Sequence, residues 1–358
     1  MHGSVDFGRA GATEDFITEV NCLLDQLIQR APESDEPFPA ATAPLITEVH
    51  RLLQSGGKRL RPRFLDLGYR AAGGKGRDHL LAAAALELLH TFALLQDDVM
   101  DGSVIRRGRP TAGVSLGQLA PKSPPGTISG GQSLAVLASD LALIMAEQAL
   151  RRLEVLPERM RLSQHYWDML RYELAAGQAL DLMLTGSPPW KEGDVLQVAD
   201  FKSGRYTVLR PLQIGAALAG WSGILAEQWG MAALPVGIAF QIQDDLLALA
   251  GNPEETGKDG AEDIRSGKAT LPMALGFQRA TPPQESLLRR VVGNPAATVE
   301  EILQVLEVLE ETRALRSARS MVGQLFSFGA KQMNQLKICP EVRAELEQML
   351  GDLARRMK

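Results

Sequence analysis

The chain has 358 residues, 45% of them hydrophobic but only 5% aromatic, with a formal net charge of −5. That is ample for a sizeable core, and the abundance of Leu, Ala, Glu and Arg favours helix over sheet. The negative charge argues against a general nucleic-acid binder, and the two cysteines, Cys22 and Cys339, have no metal or redox spacing, so a reducing cytoplasm is expected rather than a disulfide framework.

The opening stretch MHGSVDFGRAGATEDF lacks a basic segment followed by an apolar core, so no signal peptide is expected, and residues 1–12 read as a flexible N-terminus. Apolar residues recur at helical spacing from Glu14 to Gln29, and APESDEPFPAATAP then reads as a loop. Helical patterning resumes from Leu45 to Leu53 and stops at Ser55-Gly56-Gly57. The next residues bring Lys58, Arg59 and Arg61 to a glycine turn at a helix start, a place suited to an anion; a plain glycine cap with solvated cations is the alternative.

A central helix is expected from Leu80 to about Val104, ending in Asp97, Asp98 and Asp101 with Arg106 and Arg107 just beyond. Ala93, Asp97 and Asp101 are spaced by four and share a stripe, with His90 close to the same face. Carboxylates one turn apart repel unless a cation lies between them, and hard oxygen pairs suit Mg²⁺. The arginines add forks suited to phosphate, so the group points to a diphosphate substrate. A solvated helix end remains the alternative for this motif alone.

The stretch PTAGVSLGQLAPKSPPGTISGG reads as a long loop, followed by an apolar helix over SLAVLASDLALIMAEQAL and another from Met160 to Leu184. The latter carries Gln178 and Asp181, three apart on one face, as a surface feature or as part of a site. The run from Asp200 to Tyr206 interrupts the helices, either as a junction presenting Lys202 to a cavity or as a simple C-cap. A helix from Glu227 to Leu249, expected to kink at Pro235, ends in a second acidic pair, Asp244 and Asp245. A polar loop then holds Lys258, Asp259, Asp263, Arg265 and Lys268, and amphipathic helices follow Pro272. No strand pattern or repeat is persuasive, and interruptions at Glu87, His90, Pro235 and Gln241 leave no stretch that reads as a membrane span. The expectation is an all-α protein of about a dozen helices in a single domain over residues 1–358.

Six motifs in order, GGKRLRP at 56–62, DDVMD at 97–101, RRG at 106–108, GQALD at 177–181, KSG at 202–204 and FQIQDD at 240–245, resemble those of the trans-isoprenyl diphosphate synthases, the polyprenyl synthetase family. The resemblance implies antiparallel helices around a deep central cavity, a homodimer, and condensation of an allylic diphosphate with isopentenyl diphosphate to release pyrophosphate. It implies about three Mg²⁺ per active site. Asp97, Asp101 and the assisting Asp98 would hold two of these, and Asp244 a third with Asp245 nearby. Arg106, Lys202 and Lys258 would contact the allylic diphosphate, and Ser203 and Lys268 belong with the substrate-binding set. Lys58, Arg61, His90 and Arg107 match the isopentenyl diphosphate site. Gln178, Asp181 and Gln241 resemble supports behind the metals and their waters; Gln241 is also placed at the substrate.

The chain departs from the family pattern at two positions. Ala248 stands where the second motif has a third aspartate, and Ser203 stands where a threonine is usual. Activity with somewhat weaker metal binding is expected. Phe92, five residues before Asp97, would sit about 7–8 Å deeper along the helix axis, with the small Ala93 beside it. That pair resembles synthases making geranylgeranyl diphosphate, with farnesyl diphosphate as the runner-up; core packing is the bland alternative for Phe92. A class I terpene cyclase and a non-catalytic partner subunit are the competing readings. The retained second aspartate pair and basic residues weigh against both.

Overall fold

The computed structural model describes residues 11–32, 37–120, 122–124, 127–250 and 260–355. These residues are almost entirely helical, so the all-α expectation holds. The chain divides into two compact units, one over 1–69 and 75–160 and the other over 70–74 and 161–358.

The first unit holds α1 (Gly11–Gln29), α2 (Thr42–Gln54), most of α3 (Leu60–Ala71), α4 (Leu80–Met100), α5 (Ala112–Leu116) and α6 (Gly130–Arg151). Its centre is α4, packed along α6 and flanked by α1 and α2. Ala82 to Leu89 are all buried, and each large aliphatic among them contributes about 1.5–3 kcal/mol. At the α4 N-terminus, His79 stacks between Phe16 (4.7 Å) and Tyr69 (3.9 Å) while its Nε2 meets Asp66 Oδ1 at 2.8 Å. A capping box opens α6: Ser129 accepts from the Gln132 amide, and the Gln132 side chain accepts from the Ser129 amide.

The second unit takes up α7 (Pro157–Leu184) from residue 161, then α8 (Glu192–Val198), a π-helix (Ala199–Leu209), α9 (Arg210–Ala219) and α10 (Gly223–Ala250). After these come α11 (Gly260–Ser266), α12 (Leu271–Arg279), α13 (Pro282–Val291), α14 (Val299–Glu311), α15 (Ala314–Asn334) and α16 (Pro340–Arg355). The axis of this unit is α10, which packs against the π-helix on one side and α15 on another. Where the chain leaves α7, α11 and α13, the glycines Gly186, Gly267 and Gly293 converge, all with φ between 69° and 81°. A Cβ on Gly267 would lie 2.9 Å from Gly293 Cα and 3.1 Å from Gly186 Cα. Backbone bonds Gly186 N–H to Gly267 O and Gly293 N–H to Ile264 O, both 2.9 Å, tie the crossing.

Several expectations are corrected. α4 stops at Met100, with Gly102 at φ 65° just beyond it, and a hairpin of β1 (Ile105–Arg106) with β2 (Arg109–Pro110) follows, whose two-residue return uses Arg107 and Gly108, both at positive φ. The long loop after Pro110 contains α5 and a 3₁₀ turn. α1 already begins at Gly11, inside the stretch expected to be flexible. Three helical stretches, Leu80–Met100, Gly130–Arg151 and Ala226–Leu249, are long and apolar enough to cross a membrane. One or two polar side chains do not offset the mean hydropathy of so many aliphatics, so length and composition alone do not bear out the expectation that no stretch reads as a span.

Candidate active site

In the first unit the end of α4 and the hairpin after it form a charged group. Arg106 Nε–H donates to Asp98 Oδ1 at 2.6 Å and its Nη2–H donates to Asp97 Oδ2 at 3.2 Å. The hairpin returns Arg106 over the helix end, so one guanidinium bridges adjacent carboxylates that would otherwise repel. Asp98 is buried, and burial raises its carboxyl above the usual range although Arg106 pulls the other way. Burial opposes the Arg106 charge too, but Asp98 and Asp97 outweigh it and hold the guanidinium above its ordinary value. Asp101 closes α4 and is exposed.

Two turns back on the same helix is His90. Burial and then the charges of Arg61, Arg107, Arg106 and Arg59 hold its imidazole well below the usual range. A histidine whose charge is opposed by four arginines belongs to a positive region of the unit, a setting for an anion. Arg107, itself at φ 52°, donates to Ser55 Oγ at 3.0 Å and to the Gly56 carbonyl, so it is latched onto the end of α2. Burial and the neighbouring Arg106 and Arg59 lower its guanidinium, with Glu87 opposing. Arg59 pairs with the buried Glu87 at 2.5 Å and bonds Asn21 and the Leu53 carbonyl, which makes it the brace of the cluster. Lys58 is exposed at the start of α3, and Arg61 is half-buried one turn further on. Phe92 and Ala93 are partly accessible on α4, unlike the fully buried Leu95.

In the second unit Lys202 and Ser203 lie inside the π-helix, neither in a loop nor at a cap. Lys202 Nζ–H donates to the buried Asp181 Oδ2 at 2.5 Å, and Ser203 Oγ–H donates to Gln241 Oε1. Gln241 in turn donates to Asp245 Oδ1 at 2.9 Å. Asp245 is buried, and burial pushes its carboxyl up to about 7; Lys268 opposes the rise while Asp263 and Asp181 add to it. Asp244 is exposed beside it, and Gln178 is half-buried on α7. Ala248 is buried, so the position of the absent third aspartate belongs to the core. Lys258 and Asp259 lie outside the described residues.

Sequence reasoning missed the ion-pair group under the π-helix. Buried Glu173 accepts from Arg205 at 2.9 Å and from Arg210 at 2.5 and 2.7 Å. Arg205 also makes a two-pronged bond to Asp200 at 2.9 and 3.0 Å and lies over the Phe201 ring at 4.2 Å. Burial works against the Glu173 charge, yet donation from Arg210 and Arg205 holds its carboxyl below the usual range. Asp200 first, then Glu173, raise Arg205. The available signal was the spacing Glu173, Gly177, Asp181, four residues at each step.

An all-α scaffold carrying one carboxylate–arginine group and one lysine–carboxylate group defines a class of helical enzymes that handle diphosphates. A model of the family described as polyprenyl synthetase matches residues 43–309, across both units. The chain belongs to the polyprenyl synthetase family and is a trans-prenyltransferase. Geranylgeranyl diphosphate synthase of Methanosarcina mazei is 29% identical over 324 residues, covering 89% of this chain and 94% of that protein. Octaprenyl diphosphate synthase of Escherichia coli is 32% identical over 280 residues, covering 73% and 76%. The crystal structure of geranylgeranyl pyrophosphate synthase from Corynebacterium glutamicum, complexed with isoprenyl diphosphate and magnesium, superposes with a TM-score of 0.88 at 31% identity, covering 96% of this chain and 99% of that one.

Proposed function

We propose that the protein condenses isopentenyl diphosphate with dimethylallyl, geranyl and farnesyl diphosphates, releasing pyrophosphate and ending at geranylgeranyl diphosphate. The observation that carries this reading is Arg106 bonded to Asp98 and Asp97 at the end of the helix that also carries His90, with Arg107 latched onto the end of α2 beside it. Cations from the start of α3 and the hairpin, beside an acidic group at the end of α4, suit a metal-free diphosphate beside a metal-bound one.

The residues fit a divalent ion. Asp97, Asp98, Asp101 and Asp244 are hard oxygen donors, and among the described residues no three of His, Cys, Asp or Glu gather into a closed cage. Such a set suits Mg²⁺, which keeps several positions for water and phosphate oxygens. About three ions would be held by these carboxylates. When bound, they supply Lewis-acid charge to the diphosphate oxygens.

Arg106, Lys202 and Lys258, with Ser203, Gln241 and Lys268 beside them, hold the allylic diphosphate and offset its charge as the carbon–oxygen bond breaks. Lys58, Arg61, His90 and Arg107 hold isopentenyl diphosphate so that its double bond attacks the allylic carbon, and the released proton passes to pyrophosphate. Gln178 and Asp181 support the metal side, and Asp245 steadies Gln241. A half-buried Phe92 with Ala93 beside it supports a short product. The named relatives make products of several lengths, so the pocket floor on α4 carries that part alone. The working form is a homodimer, with Leu137 and Ile144 on α6, 51% and 49% exposed, as the apolar face for a second copy. Exposed free thiols at Cys22 and Cys339 support a cytoplasmic setting.

The test is product analysis with Mg²⁺, isopentenyl diphosphate and each of the three allylic primers. Geranylgeranyl diphosphate from all three supports the whole reading. A stop at farnesyl diphosphate removes the Phe92 floor, and absence of condensation removes the assignment.

A further inference from the structure

We propose that Gly177 of α7 and Gly237 of α10, together with Glu173, are positioning residues: they fix the π-helix at the height from which it presents Lys202 and Ser203 to substrate. The inference rests on the reading of Lys202 as a contact to the allylic diphosphate.

The geometry is two-sided. On α7, Glu173, Gly177 and Asp181 form one stripe. Glu173 anchors Arg205, Asp181 receives the Lys202 ammonium, and Gly177 between them lies against the π-helix backbone. A Cβ at position 177 would come within 2.4 Å of the Lys202 amide nitrogen and 2.7 Å of its Cα. These are main-chain atoms that no rotamer change can move aside. α10 repeats the arrangement with Gly237, Gln241 and Asp245, again spaced by four. A Cβ at position 237 would lie 2.6 Å from Gly204 Cα and 2.7 Å from its carbonyl oxygen, while Gln241 one turn on accepts from Ser203. Each helix thus places a glycine against the π-helix backbone one turn before the side chain that receives its polar residue. Together the two contacts set how far Lys202 and Ser203 project, and Glu173 holds the segment through Arg205.

The test measures KM for the allylic diphosphate and for isopentenyl diphosphate separately, with kcat and melting temperature. Gly177→Ala and Gly237→Ala are made in the native chain, and Gly177→Ala also in a Lys202→Ala background. Gly177→Ala is expected to raise the allylic KM by about tenfold or more and leave the isopentenyl KM within about twofold. In the Lys202→Ala background it is expected to add less than about twofold, because Gly177 lies against Lys202 itself, whereas Ser203 is set from the α10 side by Gly237. Equal rises in both KM values, or a loss that adds in full to that of Lys202→Ala, overturn the proposal. If Lys202→Ala alone leaves the allylic KM unchanged, the reading of Lys202 falls and takes with it the claim that these glycines serve substrate. Should the alanine variants not fold, Glu173→Gln loosens Arg205 without adding an atom. The same selective rise in allylic KM supports the proposal, and an equal rise in both KM values overturns it.

Discussion

Arg106 donates to Asp98 at 2.6 Å and thereby occupies a carboxylate oxygen at the heart of the acidic motif. Arg106→Gln removes this charge-assisted bond and its companion to Asp97. The two carboxylates then repel each other more strongly, so divalent metal without substrate should bind more tightly, by titration calorimetry. The allylic KM should rise by about 10–100-fold, the equivalent of one lost charged hydrogen bond. Weaker metal binding in the variant would show that Arg106 does not compete with cations.

His90 provides a pH test. Its imidazole is held well below its usual range in the folded chain, so in acid the unfolded chain takes up a proton that the folded chain refuses. Its contribution is present above the ordinary histidine range and is lost as pH falls. His90→Gln should therefore lose less melting temperature than the native protein between about pH 7 and pH 5. Parallel melting curves would contradict the effect of burial and the neighbouring arginines on His90.

Phe92 tests product length. Phe92→Ala is expected to shift product, read by chromatography of the dephosphorylated alcohols, by one or more five-carbon units. An unchanged distribution would assign Phe92 to packing alone.

The α6 face is tested by a double change, Leu137→Glu with Ile144→Glu. Both residues are exposed, so the isolated fold should lose less than about 1 kcal/mol. Light scattering is expected to show the native chain as the proposed dimer and the variant as monomer; a variant of unchanged mass would rule this face out as the interface.

Much of the helical fold was legible, from apolar residues at helical spacing in α1 and α2 and from long apolar runs of helix-forming residues in α4 and α10. The boundary at Met100 was not, because the hairpin after it depends on positive-φ glycines whose sequence context reads equally as loop. Lys202 was recognisable from its motif, but its π-helical setting was not. That setting depends on Glu173, Arg205 and Arg210, which come together only in three dimensions, and on Gly177, whose missing side chain matters only once a neighbouring backbone is seen against it. Similarly, Asp244 and Asp245 look equivalent in sequence. The structure exposes the first and buries the second, and that sends Asp245 toward Gln241.

The meeting of Gly186, Gly267 and Gly293 makes one of the chain's ends of α7, α11 and α13 a shared pivot. With no side chain to cushion the crossing, the position of each segment is dictated by the other two. Lys268 follows directly on one of them, so its placement is governed by residues far away in the chain. A side chain at Gly267 would meet the other two backbones, whereas one at Gly186 would meet open space and one at Gly293 ordinary contacts, so Gly267 should be the least tolerant of the three in a mutational survey.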